Sequence, residues 1–265
     1  MIHPFSFPLL IRDLDRGDEI ADELCEFTYK IREIDKQGGV ISDNFGETAK
    51  SPEDYAKYGY TSYTNYNLAT LTGKDNEGVI PKVHQACSSM CEEYFYNINN
   101  PREFYIDTSW VATYDEGCFV PRHTHPNAHL SCVFYAQATE GTGQIIFENP
   151  SQPIYGVIAE KNAEMWNDFI PVEAKRGRMI IFPSFMPHYT KPHMGKEERI
   201  IFSANMAIMN TMISRIKPPI TDHHRHNNNL KLAENYGDDT LLFPKHNDPK
   251  LIEGEVNEQD NEKSV

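Results

Sequence analysis

Basic residues are scarce in this chain of 265 residues, and their scarcity excludes several classes of partner. The sequence holds 25 Lys and Arg against 39 Asp and Glu, a formal net charge of −14 at pH 7. A surface of that sign repels the phosphate backbone of nucleic acids and anionic lipid headgroups. We therefore expect no nucleic-acid partner and no membrane partner, and instead a small-molecule or peptide substrate.

Long apolar runs and paired cysteines are also missing. No stretch approaches the roughly 20 apolar residues of a membrane-spanning helix, and the first residues show no basic segment followed by an apolar one. The five cysteines form an odd set without a Cys-x-x-Cys pair, which argues against structural disulfides and for buried free thiols. These absences predict a cytoplasmic protein.

Helical periodicity dominates the first hundred residues. Apolar residues recur there at three- and four-residue intervals, as at Ile20, Leu24, Phe27 and Ile31, which is typical of an amphipathic helix that covers a sheet. Ser51-Pro52-Glu53 indicates the start of a second helix, because Ser can cap a helix and Pro suits its first turn. A third helix is expected over residues 81–96.

Short β-rich runs separated by turn residues begin near residue 105. Six such runs are predicted, at residues 105–114, 130–138, 143–148, 169–173, 178–182 and 199–207. This pattern favours a mainly β barrel or sandwich over alternating βαβ units. We predict three segments: a mostly helical elaboration at 1–104, a β core at 105–210, and a polar C-terminal extension at 211–265 with a disordered end.

Three histidines stand in a pattern that suits a metal ion. Residues two apart in an extended strand point to the same side, so His123 and His125 can present both imidazoles to one point. His188 follows the apolar strand predicted at 178–182 and can supply a third ligand. Three protein ligands leave positions for a cosubstrate and dioxygen, as an iron oxygenase requires. The alternative is that these are ordinary surface or core histidines.

Arg199 begins the last predicted strand, eleven residues after His188. A buried guanidinium is unfavourable without a partner, and its fork of N–H groups matches a carboxylate. We interpret Arg199 as an anchor for a dicarboxylate, with an exposed arginine at a strand end as the alternative.

An ordered set of motifs runs through the same region. It consists of Tyr114-x-x-Gly117-x5-His123-x-His125-Pro126, Leu130-Ser131-x-Val133-x-Tyr135, Gly143-x-Ile145-x-Phe147-x-Asn149-Pro150, Phe182-Pro183-Ser184-x-x-Pro187-His188 and Gly195-x3-Arg199-Ile200. Together these motifs resemble a family of 2-oxoglutarate/Fe(II) oxygenases of phages and bacteria, itself similar to prolyl 4-hydroxylases. The resemblance covers roughly residues 105–207. It implies a double-stranded β-helix, that is, a jelly-roll or cupin-like core, with the N-terminal helices packed on its sheet.

The resemblance also implies an activity and a role for each site residue. The chain would be a 2-oxoglutarate-dependent non-haem iron dioxygenase, with Fe(II) as cofactor and 2-oxoglutarate as cosubstrate, that hydroxylates a substrate such as a prolyl residue. His123 and His188 match the iron-binding histidines. Arg199 matches the residue that pairs with the distal carboxylate of 2-oxoglutarate, and Tyr135 matches a tyrosine that helps to bind it. Tyr114 would line the same pocket or serve only strand packing.

One departure from the prolyl hydroxylases concerns the third ligand. They carry His-x-Asp where this chain has His123-x-His125, so we expect a three-histidine site, with Glu148 or Asp107 as the alternative third ligand. A cupin-type three-histidine metal enzyme without 2-oxoglutarate would share the fold. The absence of a glutamate shortly after His125, and the presence of Arg199, count against it. A non-enzymatic β-barrel is a third possibility.

Overall fold

The computed structural model describes residues 7–35, 59–63, 65–70, 78–150 and 168–209. The helix predicted to start at Ser51 and the extension predicted after residue 210 lie outside these ranges. Within them, no helix is both long enough and apolar enough to cross a membrane.

Nine strands in the described ranges form two antiparallel sheets. In chain order they are β1 (Leu10–Asp13), β2 (Tyr60–Thr61), β3 (Phe104–Tyr114), β4 (Leu130–Gln137), β5 (Ile145–Glu148), β6 (Phe169–Val172), β7 (Arg178–Pro183), β8 (His188–Thr190) and β9 (Arg199–Ile208). The larger sheet has the order β1-β7-β4-β9-β3-β2, and the smaller one has the order β6-β5-β8. The segment before β4 adds to the smaller sheet, because His123 forms an isolated bridge with His188 of β8.

From β3 onward the chain winds back and forth between the two sheets. Strands β3, β4, β7 and β9 lie in the larger sheet, whereas the His123 segment, β5, β6 and β8 lie in the smaller one. This winding is that of a double-stranded β-helix, so the predicted mainly β fold is confirmed. All six predicted strands are present with ends within two residues of those expected. Strands β1, β2 and β8 were not predicted; β2 and β8, with two and three residues, are too short for alternation to be detected.

Two long helices cover the outer face of the larger sheet. They are α1 (Gly17–Ile34) and α2 (Val79–Asn97), and a single 3-10 turn lies at Leu68–Thr70. The buried stripe of each helix joins one apolar core with residues of β4, β7 and β9. The expectation that these helices cover a sheet is therefore confirmed for the two that the structure describes.

A second apolar core lies between the two sheets and includes inward-facing side chains of the motifs found in the sequence. Its largest buried members are Tyr114, Tyr135, Phe147 and Phe182. All five cysteines are free, and four of them are buried, as expected for thiols that act as small apolar groups. The functional residues predicted from the sequence face this inner core.

His84 on α2 gives the fold a predictable dependence on pH. Its ring centroid lies 5.6 Å from that of Phe202, and its Nε2 lies 2.9 Å from Ser109 Oγ. Burial lowers the pKa of His84 from 6.5 to about 4. Between about pH 4 and pH 6.5, the unfolded chain therefore binds more protons at His84 than the folded chain does. The free energy of unfolding should fall by at most about 3 kcal/mol from this group as the pH drops from 6.5 to 4.

Urea denaturation at pH 5 and pH 7 checks this expectation. In His84→Asn, which cannot titrate in this range, the difference in unfolding free energy between the two pH values should be smaller than in the unsubstituted protein. An equal difference in both proteins would mean that His84 is not held neutral by the fold.

Candidate metal and carboxylate site

His123 and His188 face each other across the bridge between the segment before β4 and strand β8. The backbone N–H of each donates to the carbonyl of the other, over 2.9 and 3.0 Å. Residues directly opposite each other in an antiparallel pair place their side chains on the same face. The ring centroids consequently lie 4.2 Å apart. Strand register thus joins two histidines that are 65 positions apart in the sequence.

His125 lies in the loop after the bridge rather than in the regular strand expected from the sequence. Its backbone N–H donates to the Ser184 carbonyl over 2.8 Å. Its ring stacks on that of His123, with centroids 5.0 Å apart and planes 25° apart, and lies 5.1 Å from the His188 ring. The two imidazoles of the His-x-His pair therefore point the same way, as predicted, although the backbone that carries them is irregular.

One nitrogen from each of the three imidazoles approaches a common point. These atoms all lie within 4.8 Å of one another, and the Nε2 atoms of His123 and His125 are 3.0 Å apart. In the described ranges no other group of three or more histidine, cysteine or acidic side chains is close enough to hold a metal. Neither alternative carboxylate joins this group, and Glu148 instead pairs with Arg122 at 2.5 Å.

The hydrogen bonds of the outer ring nitrogens determine which nitrogen carries the proton. Each Nδ1 lies next to an oxygen that can only accept: the Pro121 carbonyl for His123 (2.8 Å), the Met186 carbonyl for His188 (2.9 Å) and Asn205 Oδ1 for His125 (2.5 Å). Each Nδ1 must therefore hold the proton, which leaves a lone pair on each Nε2. Three lone pairs that converge on one point repel one another unless a cation lies between them.

These residues fit a divalent transition metal. Burial, and then the charge of His125, lower the pKa of His123 to about 4, and burial lowers the pKa values of His125 and His188 as well. All three imidazoles are consequently neutral donors at pH 7. If two nitrogens each lie about 2.1 Å from one ion and the N–metal–N angle is about 90°, the nitrogens are about 3.0 Å apart. The Nε2 atoms of His123 and His125 have this separation. Imidazole ligands suit iron among other transition metals.

Arg199 is buried on the same inner face and faces Tyr114 across the β3–β9 pair. It is 1% exposed, and its guanidinium carbon lies 4.2 Å from the centre of the Tyr114 ring. Its N–H groups reach only the Gly143 carbonyl and Thr190 Oγ1, both at 3.4 Å, and its Nε has no hydrogen-bond partner. No carboxylate of the described residues forms a salt bridge with it. The alternative of an exposed arginine is therefore wrong.

Two tyrosines share the surroundings of this guanidinium. Tyr135 on β4 is 2% exposed. Burial raises its pKa to about 12, although the positive charge of Arg199 acts to lower it. Burial also raises the pKa of Tyr114. Both phenols hence stay protonated at neutral pH and can donate hydrogen bonds. Tyr114 packs within the sheet and also lines the arginine's pocket, so the two alternatives for it are not exclusive.

Two glycines of the motifs shape the backbone around the site. Gly117 has a φ of +86° in the turn that leads from β3 toward His123, a conformation that side chains other than glycine's rarely adopt. A Cβ on Gly143 would lie 2.1 Å from the Lys191 carbonyl oxygen. Glycine there lets the turn between β4 and β5 approach the chain beyond β8, close to Arg199.

Asn205, Ser131 and Trp110 also border the histidines, although the sequence interpretation gave them no role. Asn205 and Ser131 contact His125 Nδ1, and the Trp110 ring lies 6.1 Å from the His125 ring. A signal for Asn205 was present, since alternation along β9 puts every second residue after Arg199 on the inner face. Likewise, Ser131 lies four residues before Tyr135 on β4, so both side chains point to the inner face.

Comparisons with solved structures find several similar chains. It is similar to a prolyl-4-hydroxylase of Pseudomonas putida at 13% identity, over 76% of this chain and 94% of that one, with a TM-score of 0.49. It is similar to a Trichoplax adhaerens prolyl hydroxylase, solved with a hypoxia inducible factor peptide, at 13% identity over 83% and 86% of the two chains, with a TM-score of 0.44. It is also similar to HygX of Streptomyces hygroscopicus, solved with nickel and 2-oxoglutarate, at 6% identity over 77% of this chain and 84% of that one, with a TM-score of 0.45.

Sequence comparison finds a family model that matches the region of the site. No curated protein matches the chain. Residues 108–205 match the model of the family described as "Putative 2OG-Fe(II) oxygenase", and this segment contains the three histidines, Arg199 and both pocket tyrosines. Through residues 108–205 the chain is thus similar to the 2-oxoglutarate/Fe(II) oxygenases, a family named for Fe(II) as cofactor and 2-oxoglutarate as cosubstrate.

Proposed function

We propose that this enzyme hydroxylates an aliphatic C–H bond, with Fe(II) held by His123, His125 and His188 and with the distal carboxylate of 2-oxoglutarate held by Arg199. The observation that carries the proposal is the meeting of two groups on one inner face. Three ring nitrogens converge there, and a buried guanidinium lies there without a salt bridge to a carboxylate of the described residues. A metal ion and a dicarboxylate complete both groups at once.

The chain's own residues bind and orient the reactants in this proposal. Arg199 offers its N–H fork to the distal carboxylate, and the protonated Tyr135 and Tyr114 are available as further donors. Apolar residues around them, such as Phe147 and Phe182, exclude water and so strengthen the pairing of charges. When bound together, Fe(II) and 2-oxoglutarate supply the activation of dioxygen and the oxidation of a C–H bond, with release of succinate and carbon dioxide.

An aromatic wall beside His125 supports an apolar substrate group. Trp110 lies 6.1 Å from His125 between ring centroids, and Tyr63 packs edge-to-face on Trp110 at 4.9 Å. Aromatic faces of this kind bind C–H-rich groups through burial and dispersion. A prolyl residue in a peptide, with its saturated ring, is the substrate we propose to test first, because the motifs resemble those of prolyl hydroxylases.

A three-histidine enzyme that does not use 2-oxoglutarate is the competing function. The observation that favours it is the lack of any carboxylate in the histidine group within the described ranges. In that case Arg199 and Tyr135 would have no role in binding a cosubstrate, and the enzyme would form no succinate. The two functions therefore differ in a product that can be measured.

Anaerobic titration with Fe(II) and then 2-oxoglutarate tests the proposal directly. We expect a visible charge-transfer band that appears only when both are present, and succinate formation once air is admitted. Full metal binding without a band at any 2-oxoglutarate concentration would contradict the proposal and favour the competing function.

Arg199→Met separates a binding role from a structural one. Because the guanidinium is buried without a carboxylate, its replacement by an apolar side chain of similar length should leave the unfolding free energy of the apoprotein unchanged or higher. The 2-oxoglutarate concentration at half-maximal band intensity should rise at least about tenfold, as for the loss of a charged hydrogen bond. A large loss of stability with unchanged 2-oxoglutarate binding would make Arg199 a structural residue.

His125→Ala tests the third ligand. Because two imidazoles alone hold a divalent metal weakly, purified His125→Ala should retain much less iron than the unsubstituted protein. His129→Ala is the matched control, since His129 lies nearby but accepts a backbone N–H from Ile208 and does not join the group. Undiminished iron in His125→Ala would remove His125 from the ligand set.

A further inference from the structure

A row of polar side chains crosses the inner face of the larger sheet beneath His125. Asn205 on β9 stands opposite Ser131 on β4 and opposite Thr108 on β3. Ser184, just after β7, extends the row beyond Ser131. Ser131 and Ser184 are fully buried. Most other inner positions of these strands carry apolar or aromatic side chains, so four polar groups in contact there call for an explanation.

We infer that Asn205 is the positioning residue for His125 and that the rest of the row holds the Asn205 amide in place. This inference rests on the proposed function, in which His125 is a metal ligand. It adds that the direction of the His125 lone pair is set by a side chain from another strand. Asn205 acts only through His125 in this arrangement and is not one of the three ligands.

The hydrogen bonds in the row have one consistent assignment. Asn205 Nδ2 donates to Thr108 Oγ1 over 3.1 Å, which turns Oδ1 toward His125. His125 Nδ1–H donates to that Oδ1 over 2.5 Å, and the Ser131 hydroxyl donates to the same oxygen over 2.9 Å. The Ser184 hydroxyl then donates to Ser131 Oγ over 2.8 Å. With its proton on Nδ1, His125 directs an Nε2 lone pair toward the other two imidazoles.

His125 differs in this respect from the other two histidines. The Nδ1–H groups of His123 and His188 each donate a hydrogen bond to the backbone carbonyl two residues earlier in the chain, that of Pro121 and that of Met186. Their ring orientation is therefore set by local backbone, which a distant substitution leaves intact. His125 instead depends on Asn205 and Ser131. A change at Asn205 should consequently disturb one ligand of the three.

The chemistry of Asn205 also makes a directional prediction. An amide oxygen accepts the imidazole proton without adding a negative charge, whereas a carboxylate in the same place would make the imidazole a stronger donor to the metal. Asn205→Asp should therefore keep or increase metal affinity, because its carboxylate can still accept from His125. Asn205→Leu has a similar size but no acceptor, and it should lower metal affinity about 10- to 100-fold.

The experiment compares Co(II) binding by calorimetry in the full-length apoprotein and in four variants: Asn205→Leu, Asn205→Asp, Thr108→Val and His125→Ala. Thr108→Val removes only the acceptor of the Asn205 Nδ2–H group, so its loss of affinity should be smaller than that of Asn205→Leu.

A second measurement records the charge-transfer band of the Fe(II) and 2-oxoglutarate complex. The band of Asn205→Asp should move to longer wavelength, because a more basic imidazole raises electron density on the metal. A purely structural role would not move it.

The outcomes separate this inference from the proposed function. If Asn205→Leu binds Co(II) as tightly as the unsubstituted protein while His125→Ala does not, the inference is wrong and the metal site stands. If His125→Ala also binds normally, the proposed ligand set fails and the inference fails with it. If Asn205→Asp loses as much affinity as Asn205→Leu, the amide does not act as an acceptor and the inference is overturned. Should Asn205→Leu fail to fold, Asn205→Asp and Thr108→Val still decide.

Discussion

The register between the His123 segment and strand β8 is the constraint on which the site depends. It makes His123 and His188 a directly opposed pair with two backbone hydrogen bonds, so both imidazoles lie on one face at a fixed separation. Strand register can change only in whole residues, and a slip by one would turn one of the imidazoles to the other face. The two packed sheets, and the helices that cover the larger one, hold that register in place.

Charge determines what the site can accept. The three imidazoles are neutral, and no carboxylate joins them within the described ranges, so a divalent metal would keep its full charge there. Arg199 adds a second positive charge in the same apolar interior. A doubly charged anion that reaches both positions is the ligand that best compensates for them, since charges interact strongly where water is excluded. The aspartate of the prolyl hydroxylases would have provided part of that compensation from within the protein.

The site is built from two kinds of support, and they differ in how they would respond to substitution. His123 and His188 are oriented by carbonyls of their own local backbone. His125 is oriented by Asn205, whose amide is fixed in turn by Thr108 and Ser131. A neutral acceptor in place of a carboxylate keeps the third imidazole from becoming a stronger donor. Side chains of three strands thereby take part in the hydrogen bonds that orient the third imidazole.

The sequence by itself determined the class of fold, six of the nine strands in the described ranges and the set of candidate residues. Alternation in those strands is a local property, and the spacing of His123, His125, His188 and Arg199 can be read directly. Only the tertiary structure decided strands β1, β2 and β8, the irregular backbone at His125, the burial of Arg199 without a carboxylate partner in the described ranges, and the hydrogen bond between Asn205 and His125. These features depend on register and on contacts between strands far apart in the chain, for which a single sequence carries no local signal.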